Sequence, residues 1–123
     1  MTYELDINRR AFNAIKNKTK RIEVRATKLE KDSFDYKVLK ENDIIDFTSD
    51  SEHLLVRITD INHYNTIEEL LVMEGTRYTL SSTNDFNKGV KSINSLDGYK
   101  EAIKKWRLCN ALRSNLWVTE RTI

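Results

Sequence analysis

The 123-residue chain has no proline, one cysteine and two histidines, and no apolar run near the roughly 18 to 20 residues that a membrane span needs. Each absence excludes something. Without proline, a repeat or a low-complexity tract, no linker divides the chain, which reads as one domain over 1–123. Cys109 has no internal disulfide partner, and two histidines offer no cluster of the kind zinc sites use. Neither a metal nor another cofactor is expected. The first residues, Met1 to Asp6, alternate in polarity instead of setting a basic start before an apolar stretch, which argues against a signal peptide and for a cytoplasmic protein.

What is present is a globular balance: 39% apolar residues can build a core, and 33% charged residues can cover it. The net charge is only +2, but its distribution is uneven. Residues 1–31 carry nine Lys/Arg against four Asp/Glu and residues 99–123 carry six against two, while 32–98 carry six against thirteen. If the two ends meet in space, they form one positive surface suited to a polyanion. Two solvated helix faces are the plainer reading.

Periodicity then orders the elements. Tyr3, Leu5 and Ile7 alternate with acidic residues as in a half-buried strand, and Asn8 can cap a helix carrying Ala11, Phe12 and Ile15 that ends near Asn17. Residues 20–27 read as a strand, with Ile22, Val24 and Ala26 on one face and Arg21, Glu23, Arg25 and Thr27 on the other. A loop with one helical turn is expected over 28–42, and Asn42 marks a turn. Residues 43–48 and 53–63 predict an antiparallel hairpin across the polar stretch Ser49 to Glu52. Thr66 and Glu69 have capping-box spacing before a helix that Gly75 closes. Residues 76–95 read as a long loop. Ser95 or Asp97 can cap a basic helix running from Tyr99 through Trp106 to Cys109, whose thiol is expected to be a buried apolar group. Asn115 to Ile123 alternates again and would close the sheet. Short strands with helices between them predict an α+β fold: a curved sheet or small barrel of about five to six strands with flanking helices.

The blocks Phe12-Asn-Ala-Ile-Lys16, Lys20-Arg-Ile-Glu-Val-Arg25, Val38 to Phe47, Val56-Arg-Ile-Thr-Asp60 and Thr66-Ile-Glu-Glu-Leu70 resemble, in order and spacing, those of the ASCH family. The resemblance covers roughly 3–75, is most specific at Lys-x-Ile-Glu-x-Arg, and is loose in the last third. It departs at Lys18 and Asn42, where the family usually has glycine; at the first of these the neighbouring Asn17 can take the helix-ending conformation instead. The resemblance implies a PUA-like barrel, a cleft between the barrel and its first helices, and binding of RNA or a nucleotide. Some small relatives hydrolyse N4-acetylcytidine with a Lys, a Thr and a distal Glu. Lys20 matches that Lys, but Glu23 stands where the Thr belongs.

Independently of the resemblance, Glu23 flanked by Lys20 and Arg25 would stay ionised, and an Arg fork suits a phosphate or a base edge. A solvated strand face with weak ion pairs is the alternative. Lys20, Glu23, Arg25, Arg57 and Tyr64 are the candidate ligand-binding residues, with Tyr64 a stacking surface and His63 a weaker candidate base. Lys20, Glu23 and Glu74 are the candidate catalytic residues, Glu74 read as an exposed helix-end carboxylate. Lys100, Lys104, Lys105 and Arg107 form the candidate nucleic-acid face. RNA- or nucleotide-binding leads; a hydrolase acting on an acylated nucleoside or on RNA, and a protein-interaction module, are the alternatives. A closed pocket at Lys20 favours the enzyme, and an open groove running onto the basic helix favours RNA. Lys20→Ala is expected to abolish function with stability changed by no more than about 0.5 kcal/mol, as for a surface lysine.

Overall fold

The computed structural model describes residues 1–81 and 83–116. Strand β1 (Thr2–Asp6) leads to Asn8, whose side chain accepts the Ala11 N–H at 2.8 Å and opens helix α1 (Arg9–Lys16). Ala11, Phe12 and Ile15 are buried on its inner face. Lys18 ends the helix in the left-handed conformation at φ 68, while Asn17 stays right-handed at φ −84. The expected glycine substitute is therefore the lysine itself. The Thr19 and Lys20 amides both donate to the Ala14 carbonyl, which reverses the chain into strand β2 (Ile22–Arg25).

A 3-10 turn at Tyr36–Val38 interrupts the following loop, and Asn42 takes a positive φ of 74. Strands β3 (Ile44–Ser49) and β4 (Glu52–Tyr64) form the expected antiparallel hairpin. Its two-residue loop, Asp50 and Ser51, has φ 50 and 71, the primed geometry that matches strand twist. Thr66 caps helix α2 (Ile67–Glu74) by accepting the Glu69 N–H at 3.1 Å, and Gly75 ends it at φ 82. The Glu69 carboxylate reaches one residue beyond the cap, to the Asn65 N–H.

The C-terminal third departs from expectation. Residues 76–95 are not all loop: helix α3 (Phe86–Asn94) starts at Asp85, which accepts the Lys88 N–H at 2.9 Å. Gly89 inside it obscures the helical signal at a cost of about 1 kcal/mol in propensity, yet a Cβ there would lie 2.5 Å from Leu80 Cδ1. Helix α4 (Tyr99–Trp106) follows Gly98 without a side-chain cap, and Arg107 ends it in the left-handed conformation. Cys109 is consequently not helical. It begins strand β5 (Cys109–Leu116), six residues earlier in the sequence than the expected closing strand; residues 117–123 lie outside the described residues. Cys109 to Leu112 are all buried, so this segment lacks the alternation that reveals a one-sided strand. The thiol is a buried group, as expected, and burial pushes its pKa up to about 12.

The chain is an α+β protein with a mixed five-stranded sheet, ordered β1-β3-β4-β5-β2, in which only the β1–β3 pair is parallel. Each side of the sheet carries a core. One gathers α1, Phe47, Val56, Ile58 and Leu112; the other seats α2 to α4 against Ile22, Val24 and Ala111. Burying Phe12 or Phe47 contributes about 1.5–3 kcal/mol each. Among the described residues β1 and β2 do not pair, so the sheet is not closed into a barrel. Four strand spacings of about 4.8 Å would hold these edges about 19 Å apart in a flat sheet. Arg25 Nη2 of β2 nevertheless donates to the Asp6 carbonyl of β1 at 2.7 Å, so the sheet bends to bring its edges within one side chain of each other.

Candidate functional site: a buried Lys-Glu-Arg triad in a cleft

The site begins with the face that β2 presents. Ile22 and Val24 pack against the helices, and Glu23 sits directly opposite Leu112 of β5, which belongs to the other core. The charged face expected to look outward is therefore the inner one. Arg21 and Ile22 donate their amides to the Tyr78 carbonyl at 2.8 and 3.0 Å, docking the chain after α2 onto the start of β2. That docking sets Thr79 beside Lys20.

Lys20 Nζ donates to the Ile22 carbonyl at 2.6 Å and to the Thr79 carbonyl, and lies 3.4 Å from Glu23 Oε1. Three acceptors match the three donors of an ammonium. Glu23 Oε2 accepts from Arg25 Nε at 2.8 Å. Arg25 Nη1 donates to the Tyr36 hydroxyl at 3.2 Å, and its guanidinium stands 5.8 Å from the Phe47 ring centroid. The side chains are only 6% (Lys20), 12% (Glu23) and 12% (Arg25) exposed. Burial alone would push the Glu23 pKa up; the Arg25 and Lys20 charges outweigh it and hold the carboxyl below its ordinary value. Burial depresses the Lys20 pKa despite Glu23, whereas Arg25 is raised because Glu23, Tyr99 and Tyr36 together outweigh its burial.

All three line a cleft of about 880 Å³ bounded by the start of α1, the segment after β2, Thr79 to Ser81, and the α3–α4 junction. Phe34, Tyr36 and Tyr99 give it aromatic walls, and Ser33, Ser81 and Ser92 give it hydroxyls. Lys28 and Asp97, which also line it, pair at 3.4 Å. The arrangement can surround a mononucleotide-sized ligand and offer it a fixed carboxylate between two cations. It is poorly set for Lys20 to act as a nucleophile or an acid, because each of its donors is already engaged.

The other expected site residues lie elsewhere. Arg57 is exposed and donates to Asn42 Oδ1 at 3.1 Å, and a bulge between Ile58 and Asp60 breaks the face it was expected to share with Thr59. Tyr64 and Glu74 do not line the cleft. They bond each other, since the Tyr64 hydroxyl donates to Glu74 Oε2, and burial followed by Glu74 pushes the tyrosine pKa to about 12. Glu74 is not an exposed helix-end residue: its side chain is 7% exposed, accepts from Asn62 Nδ2 at 2.9 Å and lies 3.7 Å from Arg113 Nη2. His63 Nδ1 meets Asn110 Oδ1 at 2.7 Å, and Asn110 Nδ2 in turn donates to the Arg25 carbonyl. That imidazole is held for structure. Lys100, Lys104, Lys105 and Arg107 are exposed on α4 or just after it, and none lines the cleft, although Tyr99 at the head of the same helix does.

The sequence reading missed Tyr36, Thr79 and Tyr99. Long stretches such as the one after α2 often carry function, but nothing in its sequence singles out the carbonyl of Thr79. The two ends of the chain do meet, through the β2–β5 pairing.

No family model and no curated protein matches the chain. Two solved structures are similar over nearly their whole length. Hypothetical protein PH0355, a crystal structure, is 25% identical with a TM-score of 0.77, covering 94% of this chain and 99% of that one. Protein PF0455 from Pyrococcus furiosus, a solution NMR structure, is 24% identical with a TM-score of 0.72, covering 96% and 99%. These likenesses bear on the fold.

Proposed function

We propose that the chain is an ASCH-like domain with a PUA-type, barrel-like sheet, and that its cleft binds a nucleotide or nucleoside. One observation carries this reading: three charged side chains of the Lys-x-Ile-Glu-x-Arg block are buried together at the wall of a ligand-sized cleft. Burying such a triad contributes little net stability compared with an apolar core of the same volume, so its retention is better explained by recognition than by folding. The bent sheet, with Arg25 joining its two edge strands, supports the barrel-like description. Glu23 keeps lone pairs for an amine or ring N–H, and Phe34, Tyr36 and Tyr99 supply faces for a base.

A single enclosed ligand is favoured over a long RNA, because the basic residues of α4 stand off the cleft. The hydrolase alternative has less support, since Lys20 has no free donor and Glu74 lies apart. The test is a titration with nucleosides, mononucleotides and a short RNA, followed by amide NMR shifts. Saturable shifts at Ser33, Tyr36 and Ser81 with a mononucleotide support the reading. Shifts confined to α4, or none with any compound, defeat it.

A further inference from the structure

The face of β1, β3 and β4 opposite Leu5, Ile45 and Phe47 carries a second cluster, invisible in sequence spacing. Glu4, Asp46 and His53 come from β1, β3 and β4, and their ligand atoms all lie within 4.8 Å of one another. Glu4 and Asp46 are direct cross-strand partners in the parallel β1–β3 pair, so two carboxylates face each other on one surface. Like charges in that relation destabilise a sheet unless something compensates them. His53 Nδ1 stands 3.0 and 2.9 Å from the two Asp46 oxygens, so the imidazole partners Asp46 and leaves the Glu4 carboxylate beside them without a hydrogen bond to it.

We infer that Glu4, Asp46 and His53 form a binding site for a divalent transition metal of the zinc class, which fastens edge strand β1 to the sheet. The donor set argues for that class. One imidazole nitrogen with two carboxylate oxygens suits zinc, cobalt or nickel, whereas calcium and magnesium prefer oxygen alone. Tetrahedral ligation at about 2.0–2.1 Å needs ligand atoms about 3.4 Å apart. Asp46 and His53 are already closer than that, and Glu4, exposed on a flexible stem, closes the remainder by rotating side-chain bonds. The backbone beneath is rigid, because the alternate residues Leu5, Ile45 and Phe47 are buried in the core.

A metal bound to this set takes the place of the His53–Asp46 contact. Its consequence lies in β1. This strand is a five-residue edge held by one parallel partner, and two residues after Glu4 the Asp6 carbonyl accepts Arg25 Nη2 at the cleft. A cation on Glu4 therefore steadies the strand that supports the cleft rim.

The test is titration of the full chain with Co²⁺, read by visible absorption, with Zn²⁺ in competition and thermal melting alongside. One equivalent should bind, raise the melting temperature by a few degrees at saturation, and be displaced by Zn²⁺. His53→Gln and Asp46→Asn should each weaken binding by at least about tenfold, the cost that losing even an outer-shell partner carries, while His63→Gln should leave it unchanged. Should Asp46→Asn fail to fold, Glu4→Gln at the exposed edge gives the same reading. The inference is overturned if neither metal binds saturably, if binding survives these substitutions or is lost in His63→Gln, or if Ca²⁺ and Mg²⁺ bind as well as Co²⁺.

Discussion

The cleft wall and the end of helix α4 carry the same kind of residue and put it to opposite conditions. Lys20 and Arg25 are buried, hydrogen-bonded through each of their side-chain nitrogens and set around one carboxylate, while Lys104, Lys105 and Arg107 stand in solvent. In sequence the two groups look alike, as basic stretches near opposite ends of the chain. What separates them is partner geometry: a buried charge survives only with its hydrogen bonds complete, whereas an exposed one needs nothing. Only the first group is positioned to recognise a ligand by shape, and the second can act only through long-range attraction that salt screens.

Breaking the carboxylate should produce the largest effect. Glu23→Gln leaves Lys20 and Arg25 as neighbouring buried cations, and about 3–5 kcal/mol of stability should be lost in chemical denaturation. A loss below about 1 kcal/mol would mean that the triad is open to water and comparable to the α4 surface.

Lys20→Ala comes next. The sequence reading treated this lysine as a surface residue whose loss would leave stability unchanged; its 6% exposure and three acceptors reverse that expectation. Stranding the Ile22 and Thr79 carbonyls and half of the Glu23 pairing should cost about 2–3 kcal/mol. Activity or binding in this variant must therefore be measured well below its lowered melting temperature. A melting temperature equal to the parent's would return Lys20 to the surface class.

Acid should act on the same site. Glu23 has a lower pKa folded than unfolded, so its stabilisation is present above the ordinary value of 4.5 and is lost as the pH falls through the folded value. Melting curves should show the parent losing stability below about pH 4.5, and Glu23→Gln losing less over that interval. Parallel curves would contradict the pairing.

The smallest effect belongs to α4. Lys104→Gln with Lys105→Gln should change stability by about 0.5 kcal/mol or less and leave mononucleotide affinity as it was. RNA binding, where it occurs, should weaken in this variant and fall steeply with salt. If the same change removes mononucleotide binding, the proposed division between cleft and helix fails.

Legibility in the sequence followed the range of the forces involved. The Asn8 and Thr66 caps, the Gly75 stop and the hairpin at Asp50 and Ser51 are set by neighbours a few residues apart, and these were readable. Helix α3 was missed because Gly89 weakens its local signal, and its reason for being there, the close approach of Leu80, comes from outside the helix. Strand β5 was misplaced because a segment buried on both faces shows no period. Propensity favours asparagine and so points to Asn17 for the positive φ that Lys18 takes, while the Ala14 carbonyl that fixes the turn is seen only in the folded chain.

The sequence by itself determined the α+β class, most of the first seventy-five residues of structure, and the block Lys20, Glu23, Arg25 as the chemically unusual one, because alternation and capping are local. Tertiary structure decided which way that block faces. The bend that brings β1 to β2, the docking of Tyr78 and Thr79 onto the strand, and the core on each side of the sheet turn a charged face inward. They also place Glu74 and Tyr64 with each other instead of with Lys20. Each of these depends on partners tens of residues away, and a buried charge takes its meaning from the groups that complete its hydrogen bonds.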